Sequence, residues 1–401
     1  MSGEFGQFGN TSDVIGATLS AEHSADAARV VTDAEILDAA QRIAETVLGP
    51  NAHASDVADG PNIANFMALA EAGLLGLTLP KEFGGLNASG DMQRKYTQIL
   101  ASYCGVTAFI QAQHHGPSRM IANGPNEALK QALLPDLASG KAMCAISFAH
   151  LRRPGPPTLA ADPTPGGYRL NGTAPYVTGW GLMKQVVFGA TLPEGRFVYL
   201  WSPADRRDFP EIFKDAAPEN GDWGAMVASL PLKLCAMNAS ATVELSCRSW
   251  LIPEAHLLSE TDRETMRRND RNGVLGATAM PLGCAEASLR VLDETASNRP
   301  IAAIRRTAAC LRNEWNDLAA QIEERNRQAG QSGFFEEAIK LRSWSIELAV
   351  RAAHAAVTSS SGAANLLTHP AQRLLREAMF YTIQAQTQEV MDATLSRLER
   401  V

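Results

Sequence analysis

The hydrophobic period of this chain changes twice, and that sets the order of its layers. In the first third, apolar residues recur at helical spacing. Ile36, Ala40, Ile43 and Val47 share one face behind the helix start Thr32-Asp33-Ala34-Glu35. Gly49-Pro50 closes that helix, and others are predicted over 62–72, 92–104, 106–114, 117–121 and 127–138. From 143 to about 258 the helical period is lost while Gly, Pro, Val, Thr and aromatic residues rise. Beyond 272 it returns in four long segments, 273–292, 299–327, 334–360 and 371–398, the last two free of internal Gly and Pro. An α+β multidomain chain is expected: a loose arm over 1–30, a helical domain over 31–142, a middle β domain over 143–258 and a C-terminal four-helix bundle over 259–401. At 401 residues the chain is long for one core, which suits such a division.

The stretch 145–180 opens the middle domain. A strand-like run, Cys144-Ala145-Ile146-Ser147-Phe148-Ala149, is followed by turn-forming residues. Then come Tyr168-Arg169-Leu170, Asn171-Gly172, and Tyr176-Val177-Thr178. Asn-Gly between alternating residues predicts a tight hairpin turn there, because both central positions of that turn need positive φ. Further strands are expected over 185–190, 196–201, 225–229 and 241–251, forming a small β-barrel or a pair of sheets.

Several local strings point further. Gly73-Leu74-Leu75-Gly76-Leu77-Thr78-Leu79-Pro80-Lys81-Glu82-Phe83-Gly84-Gly85-Leu86 runs an apolar segment into a Pro-acid-aromatic-Gly-Gly turn. Leu133-Leu134-Pro135-Asp136-Leu137-Ala138-Ser139-Gly140 leads into the β unit, and Arg376-Glu377-Ala378 lies on the last helical segment. With Tyr176-Val177-Thr178, these strings resemble the acyl-CoA dehydrogenase family from about Thr32 onward. The resemblance implies that family's fold, with an N-terminal helical domain, a middle β-barrel and a C-terminal four-helix bundle. It also implies a flavin, FAD or alternatively FMN, held at the middle domain.

By that resemblance Thr178 hydrogen-bonds the ring edge and Tyr176 lies against the ring, although both residue types also simply favour strands. Ile146, Phe148 and Ala149 fall at the first flavin loop, where main-chain groups do part of the holding and Ala149 lacks the family's hydroxyl. His150, Arg152 and Arg153 follow, and the two arginines read either as phosphate contacts or as a solvated basic loop. At the adenine side, Glu294, Ser297, Asn298 and Arg305 replace the family's Arg-x-x-Phe-Gly string. Ser361-Gly362-Ala363-Ala364-Asn365 replaces its Gly-rich turn.

Proton abstraction needs a base, and Ala385 occupies the usual glutamate position. The substitute is Asp270, one turn from the family's other base position near Gly273. His114 or His115, at the end of a helix that lines the family's substrate cavity, corresponds by the resemblance to the cavity histidine with which related flavin monooxygenases of the same fold handle the oxygen adduct and a substrate proton. The histidines read equally as helix-end residues satisfying loose carbonyls. His354, between alanines, reads as a core or cavity residue.

Three functions remain open. The first is a flavin-dependent oxidoreductase acting on the CH-CH group of an acyl thioester. The second is a flavin-dependent monooxygenase of the same fold using reduced FMN or FAD. The third is a non-redox binding or partner subunit. A homodimer or homotetramer is expected with a small-molecule substrate.

Charge and cysteine usage exclude other classes. A net charge of −7 gives no general attraction to nucleic acid or anionic membranes. Six scattered cysteines without a Cys-x-x-Cys pair predict no metal site and a reduced, cytoplasmic protein. No charged segment followed by an apolar core opens the sequence, and no apolar run approaches the roughly 20 residues needed to span a bilayer.

Overall fold

The computed structural model describes residues 32–208, 212 and 221–399. The arm expected over 1–30 lies outside them. Thr32 opens α1 (Asp33–Ile43) with a capping box, its hydroxyl accepting from Glu35 N–H while Glu35 accepts from Thr32 N–H. The helix does not stop at Gly49-Pro50. A π-helical turn over Ala44–Leu48 leads straight into α2 (Gly49–Val57), so that Pro50 lies inside one continuous helical run, immediately after the π-turn.

Next come α3 (Ile63–Glu71), α4 (Gly90–Ala101), α5 (Gly105–Asn123) and α6 (Glu127–Ser139). The break expected at Gly116-Pro117 is absent, because α5 runs through Pro117 with His114, His115, Pro117 and Ser118 all buried on it. Tertiary burial outweighs the lost helical hydrogen bond.

Among the described residues eight strands form one sheet: β1 (Cys144–Ser147), β2 (Leu159–Thr164), β3 (Gly167–Val177), β4 (Gln185–Thr191), β5 (Phe197–Pro203), β6 (Ala225–Ala228), β7 (Val243–Pro253) and β8 (Leu257–Thr261). Their order is β6-β7-β3-β2-β4-β5-β8, with β1 parallel to β4. The hairpin turn is not at Asn171-Gly172. Strands β2 and β3 pair antiparallel through Thr164 and Gly167, so the turn is Pro165-Gly166, with Gly166 at φ +82°. Asn171-Gly172 instead lies inside β3 at a bulge against β7, where Gly172 takes φ +115° and any Cβ would collide with the Thr158 carbonyl. The dipeptide does mark positive φ, but a bulge asks for it as readily as a turn.

After α7 (Arg263–Asn272), the bundle consists of α8 (Ala279–Asn298), α9 (Ala302–Arg327), α10 (Phe334–Ser360), α11 (Pro370–Tyr381) and α12 (Gln388–Leu398). The last predicted segment is therefore two helices, separated by a turn in which Ala385 takes φ +51°. Gly283 of α8 fits against α4, where an added Cβ would lie 2.8 Å from Ala101 Cβ. One apolar core joins residues from all three regions, from Ile36 through Val177 to Val390.

Candidate functional site

The loop after β1 is braced from below. Phe148 leaves the strand and a 3-10 turn follows over Ala149–Arg152. His150, buried, donates from Nε2 to Gly189 O at 2.9 Å and ties this turn to β4. Burial lowers its pKa below the ordinary histidine value. Ala149 is exposed at the tip and Ile146 is buried beneath it. Arg153 lies 5.7 Å from the centroid of Tyr176, which is 47% exposed, so one aromatic face with a cation beside it is open at the end of β3.

Arg152 does not extend toward a ligand. Its Nε and Nη2 donate to both carboxylate oxygens of Asp270, at 2.7 and 2.5 Å, and its guanidinium stacks 4.6 Å from the Phe148 ring centroid. This corrects two expectations together: Arg152 as a phosphate contact and Asp270 as an unengaged base each occupy the other.

Thr178 follows β3 and is 4% exposed. Its hydroxyl lies 3.1 Å from that of Thr242, which in turn lies 2.8 Å from Ser240. Ser240 and Thr242 went unnoticed in the sequence. A hydroxyl pair spaced by two residues before a strand was the available signal.

The histidine pair is structural in position. His114 Nε2 donates to Leu137 O at 3.2 Å while Nδ1 accepts from Cys144 N–H at 3.2 Å, so one neutral imidazole joins α5, α6 and the start of β1. Burial pulls its pKa down to about 4. His115, at about 3 for the same first reason, lies beside Gln111, which donates to Leu74 O and accepts from Tyr96 OH at 2.6 Å. Both imidazoles are enclosed, against the expectation that they line a cavity. His354 is exposed on α10 rather than in the core.

Ala385 is exposed in the turn before α12, and Thr387 caps that helix by accepting from Val390 N–H. Arg342 on α10, wholly buried, donates to Gln384 O at 2.9 Å and to Ala277 O. It thereby ties the turn holding Ala385 to the turn that leads into α8. Burial lowers its pKa to about 10. A groove of about 430 Å³ between α8 and α9 is lined by Asp293, Ser297, Arg305, Ala308 and Arg312 among others, with Arg312 paired to Asp293 at 2.8 Å. Of the adenine-side residues singled out in the sequence, Ser297 and Arg305 line it.

All six cysteines are free, and among the described residues no cluster of His, Cys, Asp and Glu suits a metal ion. No helix there is long and apolar enough to cross a membrane.

The family described as acyl-CoA dehydrogenase, N-terminal domain, matches residues 32–141. An acyl-CoA dehydrogenase of Bacillus subtilis is 26% identical over 351 residues, covering 82% of this chain and 87% of its own. Among solved structures, butyryl-CoA dehydrogenase from Megasphaera elsdenii superposes with a TM-score of 0.75 at 18% identity, over 94% of this chain and 100% of that one. Dibenzothiophene monooxygenase from Paenibacillus sp. A11-2 superposes with a TM-score of 0.71 at 16% identity, over 91% and 97%. Helical, sheet and bundle layers in this order, with these similarities, define a multidomain α+β fold of one kind. Residues 32–141 carry the N-terminal domain of the acyl-CoA dehydrogenase family, and over most of its length the chain is similar to acyl-CoA dehydrogenases.

Proposed function

We propose that this protein is a flavin-dependent oxidoreductase that takes FAD and acts on the CH-CH group of an acyl thioester. One observation carries the reading: the Thr178 hydroxyl, backed by Thr242, lies two residues from the open face of Tyr176. A planar ring system with polar edges suits such a pair, since an aromatic face takes the ring and a hydroxyl takes its edge. The main chain of Phe148 and Ala149 offers further donors and acceptors whatever the side chains. Arg153, already stacked on Tyr176, is the nearby cation with freedom to meet phosphate, and Arg305 in the α8–α9 groove is a second. Bound there, the flavin supplies two-electron chemistry. The chain itself supplies orientation and exclusion of water.

Position 385 supports a second reading. Alanine takes no proton, and Asp270 is held by Arg152, so neither residue supplies a free base. A flavin monooxygenase needs no such base at that point, and the fold is shared with a protein named as a dibenzothiophene monooxygenase. Anaerobic bleaching of bound flavin by an acyl-CoA supports the first reading. Oxygen uptake that depends on reduced flavin supports the second. A colourless protein that ignores both FAD and FMN overturns the two together and leaves a binding subunit. We further propose a homodimer or homotetramer, supported by exposed Leu366, Leu367, Met379, Ile383, Leu395 and Leu398 on the bundle, and a cytoplasmic location, supported by the six free cysteines.

A further inference from the structure

Arg342 carries a charge that no neighbouring acid balances. It is 0% exposed on α10, donates to Ala277 O and, at 2.9 Å, to Gln384 O, and has no partner at Nε. Among the described residues it joins no ion pair, and burial lowers its pKa with no acid opposing the shift. Buried charges are ordinarily paired, because an unpaired one loses its hydration without return. Gln384 N–H donates to Phe380 O, so the Gln384 carbonyl ends the α11 run, and such an end carries only about half a negative charge. Two carbonyls meet part of the five-donor fork and leave the place positive.

The acids on the adjoining elements are already taken. Glu389, in the first turn of α12, accepts from Arg267 Nε at 2.7 Å, and Asp270 fills the fork of Arg152. Arg271, exposed at the end of α7, stacks 4.1 Å from the Phe335 ring centroid of α10 and also joins no ion pair among the described residues. Because Arg342 bonds to both carbonyls, the turns 273–278 and 382–387 lie side by side, with Gly273, Gly276, Ala385 and Gln386 exposed on them. By the resemblance, these two turns are where the family places its basic carboxylate, and here they present alanine at 385 and glycine at 273. The missing negative charge and the unpaired positive charge therefore fall together. From Arg342 Nη2 through the Gln384 carbonyl, Ala385 Cα is at most about 6 Å away.

We propose that the paired turns at Gly273 and Ala385 form an anion site that takes a carboxylate carried on the acyl part of the substrate. The inference rests on the thioester reading above and narrows its substrate class to acyl groups with a second, anionic end. Arg342 is enclosed and does not touch the ligand. It acts through its field across the Gln384 peptide, which the protein interior weakens less than water does. Arg271, at the head of the other turn, adds a second positive charge on the solvent side. A glutamate at 385 would supply the negative charge from the chain itself, and alanine leaves it to the ligand.

The test is calorimetric titration of the full-length protein, saturated with FAD, with succinyl-CoA and with butyryl-CoA, which differ by a carboxylate against a methyl group. Succinyl-CoA is expected to bind about tenfold tighter, equivalent to about 1.4 kcal/mol. Ala385→Glu should erase that preference, whereas Ala385→Gln, of the same size without the charge, should keep it. Arg342→Met should erase it too, and where that variant does not fold the two Ala385 variants decide alone. Equal affinity for both thioesters in the wild type, or a preference that survives Ala385→Glu or a folded Arg342→Met, overturns the anion site and leaves the thioester reading standing. An Ala385→Glu protein that loses affinity for butyryl-CoA but not for butyryl-pantetheine assigns the site to a phosphate of the carrier and overturns the acyl carboxylate. Wild-type protein that binds neither thioester overturns the thioester reading, and the anion site with it.

Discussion

Replacing Arg373 by Met isolates a buried carboxylate, Glu377, inside the bundle. Arg373 and Glu377 lie one turn apart on α11, 8% and 4% exposed, with Arg373 Nη1 donating to Glu377 Oε1 at 2.6 Å. Glu377 Oε2 has no partner, and Gly105 at the start of α5 leaves no space beside it, since a Cβ there would lie 2.6 Å from that oxygen. Burial pushes the Glu377 carboxyl up from its ordinary range, opposed by the Arg373 charge.

Removing the arginine strips out that opposition, and breaking such a pair costs about 3–5 kcal/mol. The variant has one escape: Glu377 can take a proton. From an unfolded glutamate pKa of about 4.3, that route costs about 1.36 kcal/mol per pH unit, so it caps the electrostatic penalty near 4 kcal/mol at pH 7 and near 1 kcal/mol at pH 5. The sign follows. A carboxyl whose folded pKa is raised contributes most below its unfolded pKa and loses that contribution as pH rises, so the variant is relatively more stable in acid.

Guanidinium unfolding followed by the fluorescence of the six tryptophans measures it at both pH values. Arg373→Met with Glu377→Leu should recover most of the loss, because an apolar pair of similar volume replaces the ion pair. A penalty that is equal at pH 7 and pH 5, or a double variant as unstable as the single one, refutes the reasoning.

Thr178→Ala should weaken flavin binding about five- to tenfold, the effect of one hydrogen bond, as read by fluorescence quenching; unchanged affinity rejects the placement of the ring edge. Ala385→Glu should introduce anaerobic bleaching by acyl-CoA that exceeds wild type, and an unaltered spectrum removes position 385 from the reaction. His114 has its folded pKa lowered from 6.5 to about 4, so its contribution is present above pH 6.5 and is lost as pH falls through 4. His114→Leu should therefore be less stable at pH 7 by about 1–3 kcal/mol, for the unmet Cys144 N–H and Leu137 carbonyl. The gap should narrow between pH 6.5 and 4, and parallel stability curves would count against a buried neutral imidazole.

The layer order was legible because period depends only on which face of an element is buried, and the strings around Thr178 and Ala385 lie within single local segments. Punctuation was less reliable. Pro50 and Pro117 sit inside continuous helical runs because their neighbours are buried on the same face. Asn171-Gly172 signals a backbone angle and not the structure that uses it. The histidines left two readings open in the sequence, because their environment is set by Leu74, Leu137 and Cys144 from other segments. Ser240 and Thr242 were invisible for a similar reason. Their turn has left-handed Met237 and Ala241 where sequence rules expect glycine, and their partner is a strand end far earlier in the chain.

Arg376-Glu377-Ala378 shows why a retained string need not carry chemistry. Arg376 donates to Asp56 from α2, at 2.9 Å through Nη1, and to the Cys235 carbonyl at 3.3 Å, in the segment that leads to Ser240. Glu377 holds Arg373 against the start of α5, and Ala378 is fully enclosed. One helical turn of α11 thus joins the N-terminal helices, the middle domain and the bundle. Its demands are set by burial, since an unpaired Asp56 or Glu377 would cost several kcal/mol wherever the reaction occurs. Ala385, exposed in the following turn, is under no such constraint. The string can therefore persist while the base position changes, which places the weight of the functional reading on the Tyr176–Thr178 end of β3, where an open aromatic face and a backed hydroxyl coincide.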